Sequence, residues 1–214
     1  MEDNSEKLKK AVGLANKCNA YLREAKFDKA SEYAAEALRI KEEIYGDKAE
    51  ELMEAYGLAG LAYSLSAYQR AGSTQLGEER YITSDKHFAL SLYYYSMALE
   101  ISQGFYGEES TQTARIYSNM GSVYRLMDDD WQEEEYYIRA IGIYSELAER
   151  VMRDCGEYSP QLADIYENLS MLYKNMDCTK EMLMYIEKAE KIYNKTEEYE
   201  HNEGCDCGCH HKEA

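Results

Sequence analysis

The sequence predicts an all-α fold, a right-handed superhelical stack of four helical hairpins (an α-solenoid). The first observation is a pattern that occurs four times: a large apolar residue, a small residue four positions later and a tyrosine three positions after that. The tyrosines are Tyr21, Tyr63, Tyr124 and Tyr173. The second is an alanine further along each copy, followed three residues later by isoleucine, as in Ala140 and Ile143. The third is a single proline in 214 residues, which favours long helices. Copies spaced by about 40 residues are typical of stacked hairpins.

Each copy reads as two helices. The large residue, the small residue and the tyrosine lie at offsets of 0, 4 and 7, which places all three on one helical face. The alanine and the isoleucine lie on one face of the second helix, where alanine keeps the helices near contact distance. The small residues of the first helices should let a neighbouring helix approach closely. They are Cys18, Gly60, Gly121 and Ser170.

The sequence also predicts where the hairpins join and where residues are inserted. Gly46, Gly107 and Gly156 each precede an acidic residue, and we expect these glycines to cap the preceding helices. The tyrosine-to-alanine spacing is 35 residues in the second copy and 16 in the others, so an insertion lies at about 69–87. Its segment 71–77 reads as a loop. Seven extra residues before Gly156 equal two helical turns and should lengthen a helix.

These columns resemble the tetratricopeptide repeat family, most clearly at Tyr117, Met120, Gly121, Tyr124 and Ala140. The 42-residue spacing with its glycine-acid joint is similar to the longer repeats of kinesin light chains. The resemblance covers roughly residues 8–195, and we assign 1–198 to a four-hairpin repeat domain. It implies a scaffold or adaptor that binds a protein or an extended peptide in a concave groove.

The resemblance also implies which residues face that groove. The position two residues after the large one would project into it, and it holds Asn16, Leu58, Asn119 and Asn168. This column resembles the asparagine ladder of peptide-binding members such as O-GlcNAc transferase. A primary amide both donates and accepts hydrogen bonds, so it pairs with a peptide backbone of any sequence. The alternative is that these amides cap or bridge neighbouring helices.

Three basic residues should share the groove with this column: Arg115, Arg125 and Lys174. An arginine holds a carboxylate through two parallel hydrogen bonds. The hypothesis is therefore that the third and fourth hairpins bind a peptide with an acidic side chain or a free C-terminus. The alternative is that these cations pair with glutamates on adjacent turns.

The clustered aromatic residues Tyr93–Tyr95 and Tyr136–Tyr137 are predicted to pack rather than to bind, since at helical spacing one of each set must face the core. Trp131 opens a second helix and is also predicted to be structural. His87, at the edge of the insertion, reads as a surface loop residue.

Charge and motifs exclude several classes of function. The net charge of −17 argues against nucleic-acid binding and against anionic membranes. No apolar run is long enough for a membrane span, and the start MEDNSEKLKK lacks a signal core, so a cytoplasmic location is expected. The sequence has no nucleophile elbow, Walker loop or HExxH motif, which predicts a protein that is not an enzyme and requires no cofactor.

The C-terminal segment 199–214 has a different composition and is predicted to be a flexible tail. It carries five thiol or imidazole groups: Cys205, Cys207, Cys209, His210 and His211. Thiolate and imidazole suit Zn²⁺, Cu(I) or Ni²⁺. The alternative function is therefore a metal-handling protein whose tail binds a soft ion while the repeats dock a recipient. A third interpretation is self-association through the terminal hairpins.

Overall fold

The computed structural model describes residues 3–72 and 77–201, and within these ranges it contains helices and no strand. The helices are α1 Asn4–Arg23, α2 Phe27–Tyr45, α3 Met53–Gly72, α4 Gly77–Tyr106, α5 Thr111–Leu126, α6 Asp130–Cys155, α7 Pro160–Asn175 and α8 Thr179–His201, with a 3₁₀ helix at Glu50–Leu52. They pair in chain order into four hairpins, which confirms the predicted all-α repeat. None of the described helices is both long and apolar enough to span a membrane.

The chain divides into two compact units, Met1–Ile143 and Tyr144–Ala214, and the boundary falls within α6. The first unit holds α1 to α5 and the first half of α6, and its core includes Tyr56, Tyr95 and Tyr137. The second unit holds the rest of α6 with α7 and α8. Its buried side chains include Tyr144, Leu162, Leu169, Leu172 and Ile192.

The small residues of the first helices do allow close approach. A Cβ added at Gly60 would lie 2.8 Å from the ring of Tyr95, and one at Gly121 would lie 2.7 Å from the ring of Tyr137. Both rings are almost fully buried. Real Cβ contacts are not that short, so glycine is what allows each tyrosine to lie flat against the helix backbone.

One tyrosine pair recurs in every hairpin. The tyrosine of the first helix packs on a tyrosine of the second, with ring centroids 5.2–5.5 Å apart: Tyr21 on Tyr33, Tyr63 on Tyr94, Tyr124 on Tyr136, and Tyr173 on Tyr185. Such pairs contribute roughly 0.5–1.5 kcal/mol beyond the area that they bury. The tyrosine column therefore packs helix against helix within each hairpin.

The turns inside three hairpins share one geometry. Ala25, Asp128 and Asp177 have φ of 55–57°, in the left-handed region. The residue after each donates its N–H to the carbonyl of the first-helix tyrosine five positions back, for example Lys26 to Tyr21 at 2.9 Å. This is the Schellman arrangement, which satisfies the last carbonyls of a helix. The joints between hairpins use Gly46, Gly107 and Gly156 at φ of 82–89°, as predicted for helix-capping glycines.

Of the predicted loop at 71–77, residues 73–76 lie outside the described residues, and the flanking residues are helical. α3 continues through Gly72 and α4 begins at Gly77, so most of the insertion lengthens two helices. The reason is local: the inserted stretch lacks proline, and residues such as Glu78 and Glu79 are good helix formers. His87 consequently lies in α4, half-buried, and not in a surface loop. The helical insertion before Gly156 is confirmed, because α6 is unbroken from Asp130 to Cys155.

The aromatic clusters pack as predicted in part. Tyr95 and Tyr137 are buried, which confirms that one member of each set faces the core. Tyr93 stays 54% exposed. The prediction for Trp131 is wrong, because its side chain is 70% exposed at the start of α6. Trp131 occupies a position where the family often has an aromatic residue, but no described helix packs over this turn of α6, so the indole stays exposed.

Candidate peptide-binding groove

A cavity of about 250 Å³ opens between α1, α2 and α3 in the first unit. Alanines form much of its wall, because each helix presents small residues where it faces the others. The lining residues are Ala15 and Asn19 from α1, Ala34, Ala37 and Lys41 from α2, and Glu54, Ala55 and Leu58 from α3. The volume is below the usual range for a drug-sized ligand, so the cavity suits one side chain of a longer peptide.

The rim of this cavity carries three polar groups of different character. Asn19 supplies an amide, Lys41 an ammonium and Glu54 a carboxylate. Lys41 Nζ donates to the carbonyl oxygen of Glu51 at 3.2 Å, which draws its chain across the start of α3. The side chains of Asn19 and Glu54 make no hydrogen bond to any group of the described residues. These groups are therefore open to the N–H and C=O groups of an extended peptide.

The spacing of α2 and α3 along the cavity is set by a buried hydroxyl. Tyr56 is 1% exposed and its hydroxyl donates to Glu42 Oε1 at 2.7 Å. Burial, followed by the hydrogen bond to the Glu42 carboxylate, raises the pKa of Tyr56 well above its ordinary value. The hydroxyl therefore keeps its proton at any physiological pH and remains a permanent link between the first and second hairpins.

A polar network ties the same two hairpins together at the opposite end. Asp28 of α2 accepts from Ser66 Oγ at 2.5 Å and from Arg70 Nε at 2.9 Å, both on α3. Ser66 Oγ also lies 2.8 Å from His87 Nδ1 of α4. Ser66 is fully buried. Three helices are thus joined through one hydroxyl and one carboxylate.

The network fixes the protonation of His87. The single proton of Ser66 is given to the Asp28 carboxylate, which only accepts, so His87 Nδ1 must carry a hydrogen and donate to Ser66. Burial lowers the pKa of His87, the Arg70 charge lowers it further, and Asp28 partly opposes both. The ring is therefore neutral near neutral pH, with its hydrogen on Nδ1. Sequence patterns gave no signal for this network, since its members lie on three different helices.

The predicted asparagine column is only partly associated with the cavity. Leu58, its apolar member, lines the cavity, whereas Asn16 is exposed on α1 and is not among the lining residues. Asn119 is half-buried on α5. Asn168, in the second unit, donates from Nδ2 to the carbonyl oxygen of Asp164 at 2.7 Å. The peptide-binding role of the column stays a prediction, and at Asn168 one amide hydrogen already has a partner within its own helix.

The three predicted basic residues are all exposed. Arg115 lies one turn before Asn119 on α5, Arg125 lies near the end of that helix, and Lys174 lies on α7 in the second unit. None of them forms an ion pair with a carboxylate of the described residues, whereas Arg39 and Arg139 pair with glutamates one turn away. The pairing that would have neutralised these three cations is therefore not seen in the described part of the chain.

The sequence analysis missed Asn19, Lys41 and Glu54. The cavity takes residues from the second helix α2 as well as from the first helices α1 and α3, so one fixed column of the first helices cannot supply its lining. On α1 the lining residues follow the large residue Leu14 by one and five positions, and on α3 they lie on either side of Tyr56. A helical wheel of each first helix would have placed Asn19 beside Ala15, one turn apart.

Comparison with known proteins agrees with this architecture. Residues 81–146 match the family model described as tetratricopeptide repeat, a segment that includes most of α4, all of α5 and much of α6. This segment of the chain is similar to tetratricopeptide repeats. The repeats are also similar to a solved structure, that of BtubC (BKLC) from P. vanneervenii. The TM-score is 0.56 and the identity 20%, over 100% of this chain and 74% of that one.

The likeness to BtubC, at this identity, shows the fold alone. No curated protein sequence matches the chain. Tetratricopeptide repeats generally mediate protein or peptide binding, and a partner for this chain has to be argued from its own surface.

The predicted metal ligands Cys205, Cys207, Cys209, His210 and His211 lie outside the described residues. Among the described residues, no three histidine, cysteine or acidic side chains come together as a metal site. Cys18 is fully buried, and burial raises the pKa of its thiol to about 11, so it stays a protonated packing residue.

Proposed function

We propose that this protein is an interaction scaffold that holds an extended peptide segment of a partner protein in the groove between α1, α2 and α3. The observation that carries the proposal is the cavity itself, with an alanine-rich wall that admits one side chain and a rim of amide, ammonium and carboxylate groups. A peptide backbone needs both donors and acceptors, and this rim supplies both.

The rigidity of the groove also supports the proposal. The Tyr56–Glu42 hydrogen bond and the Asp28 network hold α2, α3 and α4 in fixed positions on two sides of the cavity. A preformed groove loses less conformational entropy when a ligand binds, so a short peptide suffices for useful affinity.

A separate proposal concerns the exposed cations of the later hairpins, which would bind an acidic side chain or a free C-terminus of a partner. Arg115 and Arg125 on α5 are exposed and have no carboxylate partner among the described residues, in a chain of net charge −17. Each could hold a carboxylate through two hydrogen bonds. Lys174, in the second unit, is exposed as well and is proposed to bind a carboxylate independently of the two arginines.

The groove is tested by comparing two asparagines of α1. Asn19→Ala removes a rim group and Asn16→Ala removes an exposed amide that does not line the cavity. Both variants and wild type serve as baits in a native lysate, with quantitative mass spectrometry of the captured proteins. We expect one specific partner to be depleted several-fold by Asn19→Ala and retained by Asn16→Ala.

The reverse pattern would favour the asparagine column over the cavity, and equal recovery on all three baits would contradict groove binding altogether. The acidic-peptide part has a separate test. Arg115→Ala with Arg125→Ala should lower the recovery of a captured partner, while Arg39→Ala, which removes an arginine already paired with Glu43, should not.

A further inference from the structure

The first half of α6 has an apolar face that no described part of the chain covers. Trp131, Glu134, Ile138 and Gly142 follow one another at helical spacing and lie on one face of the helix. Trp131 is 70% exposed and Ile138 is 54% exposed. A Cβ added at Gly142 would meet no atom within 4 Å, so that end of the face opens onto free space.

A role in packing does not explain why the chain has a tryptophan at position 131, because the indole is largely exposed to solvent. Trp131 is the only tryptophan of the chain, and tryptophan is the residue most enriched among the anchors of protein interfaces. The neighbouring acidic residues stabilise the start of α6. Asp129, for example, accepts a hydrogen bond at Oδ1 from the backbone N–H of Gln132. That role accounts for the carboxylates of the first turn and leaves the indole unexplained.

The charge around this face favours a basic partner segment. Six of the eight residues from 128 to 135 are acidic. The basic residue of this half of the helix, Arg139, is held by Glu135 at 2.6 Å and lies over the rings of Tyr117 and Tyr136. The carboxylates of Asp130 and Glu134 are exposed and form no ion pair within the described residues. The face therefore combines an apolar anchor with uncompensated negative charge.

We propose that this α6 face, defined by Trp131, Glu134, Ile138 and Gly142, is a second docking surface that binds a basic segment of a partner protein. The segment places an aliphatic or aromatic side chain against Trp131 and Ile138, with Lys or Arg beside Asp130 and Glu134. Gly142 allows its backbone to approach α6 closely. A second copy of this chain is a poor occupant, because two faces this acidic repel each other at short range.

A peptide-display selection tests the proposal directly, because a random library contains basic, neutral and acidic peptides alike. The full chain is the bait, and Trp131→Ala and the pair Asp130→Asn/Glu134→Gln are the counter-selection baits. Tyr68→Ala, which removes an exposed aromatic residue of α3, is the matched control. We expect peptides rich in Lys and Arg around one apolar residue to be enriched on wild type and on Tyr68→Ala. Their affinity should fall about tenfold or more on Trp131→Ala, and it should also weaken in added salt.

Tryptophan fluorescence then reads the surface directly, since the only indole is in it. An enriched basic peptide should shift the emission of wild type to shorter wavelength as Trp131 leaves water. A selection in which no basic peptide depends on Trp131, an unchanged emission of wild type at saturation, or binding of the basic peptides that survives the Trp131→Ala substitution would each overturn the proposal. So would a concentration-dependent doubling of mass that Trp131→Ala abolishes, since a second copy would then be the occupant.

Discussion

Replacing Gly121 by alanine tests the helix packing of the third hairpin. The added Cβ would lie 2.7 Å from two ring carbons of Tyr137, a side chain that is fully buried. The ring is rigid and surrounded, so relief requires α5 and α6 to separate by some tenths of an ångström. Overpacking of this kind costs about 1–3 kcal/mol, and the better helix propensity of alanine returns about 1 kcal/mol. We expect a net loss of up to about 2 kcal/mol in the free energy of unfolding.

Gly142→Ala is the matched control. Gly142 lies within α6, is exposed and has no atom within 4 Å of an added Cβ. The same substitution should therefore stabilise the protein by about 1 kcal/mol through helix propensity alone. Urea unfolding followed by circular dichroism gives both values. The two glycine-to-alanine changes should differ in sign.

A compensating substitution isolates the cause. Tyr137→Leu removes the ring carbons that the new Cβ would meet, so Gly121→Ala should cost less in that background than in wild type, and the two effects should be non-additive. If Gly121→Ala stabilises the chain as much as Gly142→Ala does, the proposed close packing of Gly121 against Tyr137 is wrong.

Three further predictions concern other parts of the chain. Ala25→Gly should raise the free energy of unfolding by about 0.5–1 kcal/mol, because Ala25 has φ 55° where a Cβ is strained; an unchanged urea midpoint would contradict this. The pKa of His87 is lowered from its ordinary 6.5, so the unfolded chain binds the proton more readily and stability should fall as the pH drops below that value. His87→Gln should flatten that fall in urea midpoints measured between about pH 7 and about pH 5, and an identical slope would refute the role of His87. Isothermal titration with Zn²⁺ should show binding to the full chain and its loss on replacing the thiols by serine at Cys205, Cys207 and Cys209; equal heats would contradict a metal-binding tail.

Much of the fold was predictable because the repeat columns report local geometry. Offsets of 0, 4 and 7 fix a helical face, glycine before an acid marks a helix end, and an insertion of two whole turns preserves a face. The structure confirms all three, at Gly121, Gly156 and the unbroken α6. The predicted loop at 71–77 stays a prediction at residues 73–76, which lie outside the described residues, while Gly72 and Gly77 are the last and first residues of the flanking helices.

The groove was less predictable because its lining depends on how neighbouring helices are rotated. Of the predicted groove column, Leu58 lines the cavity. Asn19, Lys41 and Glu54 lie at other positions of three different helices, which one repeat position cannot identify. The Asp28–Ser66–His87 network is invisible for the same reason, since it joins residues as far apart as 28 and 87. The exposure of Trp131 could not be predicted either, because repeat spacing does not tell whether another helix packs over the first turn of α6.

Site-specific photocrosslinking tests the central claim most directly. A photoreactive residue is placed at Leu58, inside the cavity, or at Tyr68, which is exposed on the same helix α3 and does not line it. Groove binding predicts a covalent adduct with one partner peptide from position 58 and little or none from position 68. Equal adducts at both positions, or an adduct at position 68 alone, would contradict a peptide site between α1, α2 and α3.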